Sequence, residues 1–136
     1  MLGQCLCGTV QFEVNIEPEK ITVCHCGMCR KWGGGPSLTL EVTEKLKMTG
    51  EKSITEYASS EWASRYFCKQ CGTNLYYKLN ERDYYSLNAE LFDLPDNTQI
   101  HLEIYTDHKP HYYQFLSHSR QMTEQDVIDL FSVKDE

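Results

Sequence analysis

Val10, Phe12, Val14 and Ile16 alternate with polar residues near the start of the chain, the period-two spacing of a strand with one buried face. Leu38, Leu40 and Val42 repeat the pattern. Arg65-Tyr66-Phe67 leads into one cysteine pair and Leu75-Tyr76-Tyr77 leaves it, which predicts strand, metal knuckle, strand. Tyr84-Tyr85-Ser86-Leu87 and the stretch from Ile100 to Tyr105 read as further strands. Gly33-Gly34-Gly35-Pro36 predicts a loop, since no regular element tolerates it well. Only the end of the chain reads as a helix: Thr123 is placed as an N-cap, and Val127, Ile128, Leu130 and Phe131 follow at near-helical spacing. No repeat, linker or low-complexity segment interrupts the sequence. The expectation is one mainly β domain over residues 1–136 with a short C-terminal helix.

The chain of 136 residues can bury a core of its own, because a domain of about 150 residues hides roughly 68–70% of its unfolded surface. Metal is therefore not required by small size alone. A mean hydropathy of −0.53 and apolar runs of only a few residues predict a soluble protein. Met1-Leu2-Gly3-Gln4-Cys5 lacks the basic and apolar regions of a signal peptide, so the expected location is the cytoplasm. The net charge is −7, and the surface should repel phosphate backbones, which argues against nucleic acid as a partner. No membrane partner is expected either, and the sequence sets no expectation for oligomeric state.

Seven cysteines change this picture. In a reducing compartment structural disulfides are rare, and an odd count would leave one thiol over. The cysteines form three groups: Cys5-Leu6-Cys7-Gly8, Cys24-His25-Cys26-Gly27-Met28-Cys29 and Cys68-Lys69-Gln70-Cys71-Gly72. A C-x-x-C turn aims two sulfurs at one point, and the glycine after it can adopt the backbone a knuckle needs. A disulfide within a C-x-C pair would strain its loop. A closed structural zinc takes four ligands, and the first and third groups together supply four. The middle group supplies three and stops, the pattern of a zinc with an open fourth position. The alternatives are a partition that splits a group, or two closed structural sites with His25 or a distant histidine completing the second. His25 lies between two ligands, so its side chain should point away from an ion held by both neighbours. Thiolates favour zinc over magnesium or calcium, but they do not separate zinc from iron. Seven thiolates on two zinc ions would take the net charge from −7 to −10.

The ordered triplet C-x-C-G, C-H-C-x-x-C-R, F-C-x-x-C-G-T resembles the glutathione-dependent formaldehyde-activating (GFA) family, which includes centromere-protein-V-like domains. Gly50, Tyr57, Leu91-Phe92-Asp93, His101 and Lys109-Pro110 extend the resemblance over about residues 2–115. It implies a single GFA-type zinc-binding domain with a β-tent fold of twisted antiparallel sheets. It also implies a structural zinc on Cys5, Cys7, Cys68 and Cys71 and a second zinc on Cys24, Cys26 and Cys29. The implied activity is that of a carbon–sulfur lyase joining formaldehyde to glutathione, as S-(hydroxymethyl)glutathione synthase does. The chain departs from the family where His111-Tyr112-Tyr113 stands in place of a tryptophan after the Lys-Pro step. It is also shorter than the namesake enzymes. Fold and metal are therefore implied more closely than substrate.

At the second site the implied chemistry is attack by a bound thiolate on a small carbonyl carbon. Arg30 follows the last ligand and is a candidate for offsetting the site's negative charge, or else a surface or packing cation. His101 reads first as a core-facing strand histidine and second as a proton donor. Tyr112 and Tyr113 are candidates for lining a pocket. Gly33-Gly34-Gly35 is a candidate too, though it lacks the ending of a phosphate loop. Met28 and Trp32 read as packing residues, and Lys134-Asp135-Glu136 as a frayed end. Two other functions fit the same residues: a zinc-stabilised protein-binding module without catalysis, and a thiol redox or metal-buffer role. The odd triplet favours the enzyme, because a purely structural site would have a fourth ligand.

Overall fold

The predicted alternation becomes buried and exposed faces in a computed structural model of the protein, which describes residues 1–15, 20–116 and 118–134. Ile16, Asp135 and Glu136, read above as strand and tail, lie outside the described residues. The strands are β1 (Leu2–Gln4), β2 (Gln11–Glu13), β3 (Lys20–Cys24), β4 (Ser37–Val42), β5 (Lys47–Thr49), β6 (Ile54–Tyr57), β7 (Ala63–Cys68), β8 (Asn74–Leu79), β9 (Tyr85–Asn88), β10 (Gln99–Ile104) and β11 (Arg120–Met122). The helices are α1 (Gly27–Gly33) and α2 (Glu124–Lys134). The chain forms two compact units, one from residues 1–18 and 39–96 and one from residues 19–38 and 97–136.

In the first unit all pairings are antiparallel. β2 lies between β1 and β5, and β4, β9, β8, β7 and β6 follow one another in a second sheet. Val10, Phe12 and Val14 are buried while Gln11 and Glu13 face water, so the period-two reading holds. Phe12 is 1% exposed and meets Tyr76 edge to face, with ring centroids 6.0 Å apart. It therefore ties the small sheet to the large one. Val10, Leu40, Leu75 and Leu87 complete this core, each almost wholly removed from water. The β7–β8 connection is the cysteine knuckle at 68–73, with Ile54 of β6 opposite Cys68.

In the second unit β10 is central and pairs in parallel with both β3 and β11. Parallel partners cannot be joined by a tight turn, and β3 and β10 are indeed far apart in sequence. His101 sits at the register shift between Ile100 and Leu102. It is exposed and not core-facing as expected, because the extra residue in the bulge turns it outward. Strand β10 stops at Ile104, where Tyr105 takes a left-handed conformation with φ 56°.

Two further expectations are corrected. The C-terminal helix is not the only one, since α1 begins inside the second cysteine group and includes Gly33. Its two terminal glycines and lack of an apolar stripe hide it from periodicity, and it buries no residue. Met28, expected to pack, lies on this helix 44% exposed. At α2 the expected cap is present and reciprocal. The Asp126 N–H donates to the Thr123 hydroxyl at 3.1 Å, and the Thr123 N–H donates to the Asp126 carboxylate at 3.0 Å. Val127 is buried, whereas Ile128 and Leu130 are exposed.

Phe12→Ala should lower the unfolding free energy by about 3–5 kcal/mol, as aromatic deletions in packed cores do. Thr123→Ala should cost only about 0.5–2 kcal/mol. Denaturant titrations of both variants at one fixed zinc concentration would check the ranking.

Candidate metal centres

The seven sulfurs gather into two groups. Those of Cys5, Cys7, Cys68 and Cys71 lie within 4.8 Å of one another, and so do those of Cys24, Cys26 and Cys29. No disulfide links any of the seven, all of which lie among the described residues.

The first group is built by two knuckles of the first unit. Gly8 N–H donates to the Cys5 carbonyl and Gly72 N–H to the Cys68 carbonyl, at 3.0 and 2.7 Å. Both glycines have left-handed φ, +78° and +79°, which side chains rarely tolerate. The Val10 N–H points at the Cys5 sulfur, 3.4 Å away. Leu6 N–H donates to the Thr73 hydroxyl at 3.1 Å, joining one knuckle to the other. The Cys5 and Cys7 sulfurs are 3.6 Å apart, and those of Cys7 and Cys68 are 3.8 Å apart.

This proximity divides the thiols electrostatically. The Thr73 hydroxyl beside Cys71, helped by the Thr73 backbone, brings that thiol down to about 5. The Thr9 hydroxyl lowers Cys7 in the same way. Burial pushes Cys68 up. Four sulfurs this close cannot all carry charge unless a cation sits among them. A soft, four-sulfur donor set of this kind fits a zinc ion.

The second group belongs to the end of β3 and the start of α1. Cys26 is the N-cap of α1, and its sulfur accepts a hydrogen bond from the Cys29 N–H at 3.3 Å. A thiol thus takes the place a serine or aspartate usually fills. The neighbouring sulfurs of Cys26 and Cys29, then burial, push the Cys24 thiol far up. At Cys26 the hydrogen bond with Cys24 pulls down, but that with Cys29, together with burial, outweighs it and raises the thiol. Three thiolates here again call for a cation. No fourth histidine, cysteine or carboxylate joins the triplet among the described residues.

His25, between two of these sulfurs, is wholly buried, and both its ring nitrogens are engaged elsewhere. Nδ1 is 2.8 Å from the Tyr113 hydroxyl and Nε2 is 2.8 Å from Glu103 Oε1. The imidazole lies nearly parallel to the Tyr113 ring, with centroids 5.5 Å apart. The other Glu103 oxygen accepts from the Ser119 hydroxyl and, at 2.6 Å, from the Gln121 amide. Burial alone would raise the Glu103 carboxyl, but hydrogen bonds from Ser119, Gln121 and His25 outweigh it and hold it below its ordinary value.

Arg30 is fixed by donating from Nε to the His25 carbonyl at 3.0 Å and from Nη2 to the His108 carbonyl at 3.3 Å. With Gly27, Lys31, Gly34, Gly35, Pro36, Tyr112 and Tyr113 it lines a cavity of about 630 Å³, a size typical of small-ligand sites. The two candidate tyrosines and two of the three candidate glycines thus meet around Arg30. His101 is not among them, since its Nδ1 is 3.0 Å from the Ile21 carbonyl. Glu103 was missed from sequence, where it reads as the polar side of an alternating strand. A carboxylate within the run Ile100–Tyr105, with a histidine held in a cysteine motif, was the available signal.

Comparison with known proteins follows the same lines. Residues 1–108 match the family model described as glutathione-dependent formaldehyde-activating enzyme. An uncharacterized lyase of Schizosaccharomyces pombe is 35% identical over 127 residues, 93% of each chain. A Halomonas elongata protein, provisionally named a glutathione-dependent formaldehyde-activating enzyme, is 28% identical over 83 residues, 54% of this chain and 53% of that one. A crystal structure of a Rhodobacter sphaeroides protein shares the fold, with a TM-score of 0.58 and 24% identity over 68% of this chain and 88% of that one. No helix among the described residues is long and apolar enough to cross a membrane.

Glu103 provides a pH test of the second unit. Its folded value is depressed below the ordinary 4.5, so its stabilising contribution is complete above that value and is lost as pH falls through the lower folded one. The stability gap between the parent and Glu103→Gln should be widest near neutrality and close progressively in acid below about pH 4.5. Urea titrations of both proteins across that range, at matched metal content, would show it.

Proposed function

Since this chain belongs to the glutathione-dependent formaldehyde-activating enzyme family, we propose that it is a zinc-dependent carbon–sulfur lyase acting on the adduct of a small thiol, glutathione, with formaldehyde. The observation that carries the reading is the sulfur triplet of Cys24, Cys26 and Cys29, lacking a fourth protein donor among the described residues, whose last member shares the short helix α1 with the cavity-lining Arg30.

Cys5, Cys7, Cys68 and Cys71 would hold one zinc as a structural clamp, and the triplet would hold the other. Held by Cys24, Cys26 and Cys29, zinc would supply the positive charge that keeps a substrate thiol deprotonated at neutral pH. The reaction forms one bond, from the thiol sulfur to the formaldehyde carbon, and places the thiol's proton on the former carbonyl oxygen. The lyase direction reverses both changes. The protein's own contribution is binding and charge. Arg30, oriented by hydrogen bonds to two carbonyls, would offset the negative charge of the site. Arg30 and Lys31 give the cavity the positive charge that the carboxylates of glutathione require. Gly34 and Gly35 let a peptide-like ligand approach the backbone closely. A site that depends on free thiolates suits a reducing compartment, in keeping with a cytoplasmic enzyme.

The two sites should separate under mutation. Structural zinc supplies on the order of 10–16 kcal/mol in small zinc peptides, comparable to a whole domain's stability of about 5–15 kcal/mol. Cys5→Ser or Cys68→Ser should therefore yield unfolded or insoluble protein. Cys29→Ala should fold, retain one zinc by elemental analysis and keep the parent's circular dichroism. If a Cys68→Ser protein melted like the parent, the pairing of the first and third groups would be wrong.

The catalytic reading is tested on zinc-loaded protein given glutathione and formaldehyde. Formaldehyde should disappear faster with the parent than with Cys29→Ala, the control that allows for the uncatalysed addition. In cobalt-substituted parent, glutathione should strengthen the sulfur-to-metal charge-transfer band. Equal consumption by parent and Cys29→Ala, with an unchanged cobalt spectrum, would remove glutathione as the substrate.

A further inference from the structure

The buried Glu103–His25–Tyr113 chain fixes the hydrogen-bonding polarity of one cavity wall. A carboxylate only accepts hydrogen bonds. Glu103 Oε1 lies 2.8 Å from His25 Nε2, so in a neutral imidazole the single ring proton belongs on Nε2. Nδ1 is then an acceptor, and the Tyr113 hydroxyl 2.8 Å away must donate to it. A phenol has one proton. With that proton committed inward, the Tyr113 oxygen offers only lone pairs to any other group. The backbone keeps the ring in place, because Lys109 Nζ donates to the Tyr113 carbonyl at 2.9 Å. The same hydroxyl lies within the electrostatic reach of both the Arg30 cation and the Cys24 sulfur, and the residue lines the 630 Å³ cavity.

We propose that Tyr113 is the specificity-determining contact for the oxygen of the thiol–aldehyde adduct, and that His25 and Glu103 position it as an acceptor, so that the site selects a hydroxyl-bearing adduct over a carbonyl. The inference rests on the glutathione reading above and deepens it. An alcohol can donate to the Tyr113 oxygen, whereas an aldehyde or ketone presents lone pair to lone pair. The wall is thus matched to S-hydroxymethyl thiols, the joined form of the two reactants.

Glu103→Gln should reverse this polarity while keeping a side chain of the same size in place. Ser119 and Gln121 both donate to Oε2, so the amide oxygen of the glutamine belongs there and its NH2 faces His25. That NH2 donates to Nε2, the ring proton moves to Nδ1, and Nδ1–H now donates to the Tyr113 oxygen. The phenol proton is released toward the cavity, and the wall becomes a donor.

The test uses two stable thioethers on one carbon skeleton, S-(2-hydroxypropyl)glutathione and S-(2-oxopropyl)glutathione, with zinc-loaded protein in calorimetry at one fixed pH, the same as for the spectra below. One hydrogen bond made or lost corresponds to roughly a two- to tenfold change in Kd. The parent should prefer the alcohol by that factor, Tyr113→Phe should show no preference, and Glu103→Gln should favour the ketone relative to the parent. Nitrogen-15 spectra of the imidazole should show the proton on Nε2 in the parent and on Nδ1 in Glu103→Gln, a change that a purely structural Glu103 would not produce. Equal affinity of the parent for both ligands, binding of neither, or a parent proton on Nδ1 would overturn the proposal. Failure of the glutathione reading is seen separately, in a cobalt spectrum that ignores glutathione.

Discussion

Like charges held within 4.8 Å of one another repel, and the surroundings of both cysteine clusters bear on that repulsion. Each cluster places sulfurs where at least one thiol is pushed up by its neighbours or by burial and so resists ionisation. A divalent ion reverses the balance, because every thiolate then gains more from the cation than it loses to its neighbours. The knuckle glycines, the backbone N–H aimed at Cys5 and the thiol cap on α1 all serve to hold sulfur at that distance.

The two clusters meet this constraint differently. The first draws on two knuckles and closes a span of 61 residues between Cys7 and Cys68, so its ion would act as a cross-link between distant strands. The second lies within six residues of one strand end and one helix turn, and its surroundings do more of the work. His25 cannot leave for the metal without abandoning both Tyr113 and Glu103. A buried imidazole with both nitrogens satisfied is a stiff wall, and stiffness behind the three sulfurs holds their spacing.

Much of this was legible in the residues. Alternation at Val10, Phe12 and Val14 located a true buried face, and cysteine spacing anticipated which sulfurs meet. What escaped had physical causes. Helix α1 was invisible because its cap is a cysteine and its ends are glycines, so the usual stop and start signals read as a loop. His101 read as core-facing because a one-residue bulge inverts the face of a strand, and periodicity cannot register an inserted residue. Glu103 was overlooked since its partners His25, Ser119 and Gln121 come from separate segments and converge only after β3, β10 and β11 align in parallel.

The parallel register of β3 and β10 has a bearing on how the chain is made. His25 and Glu103 are separated by 78 residues, so during synthesis β3 waits without β10 while the whole 39–96 segment is added. Closing so long a loop is entropically unfavourable and slow compared with forming local contacts. The Cys24–Cys29 triplet needs no such closure and could capture its ion on the nascent chain, before β10 exists. Metal loading and sheet formation in that unit would then be sequential events, with the unpaired edge of β3 exposed to misassociation in the interval.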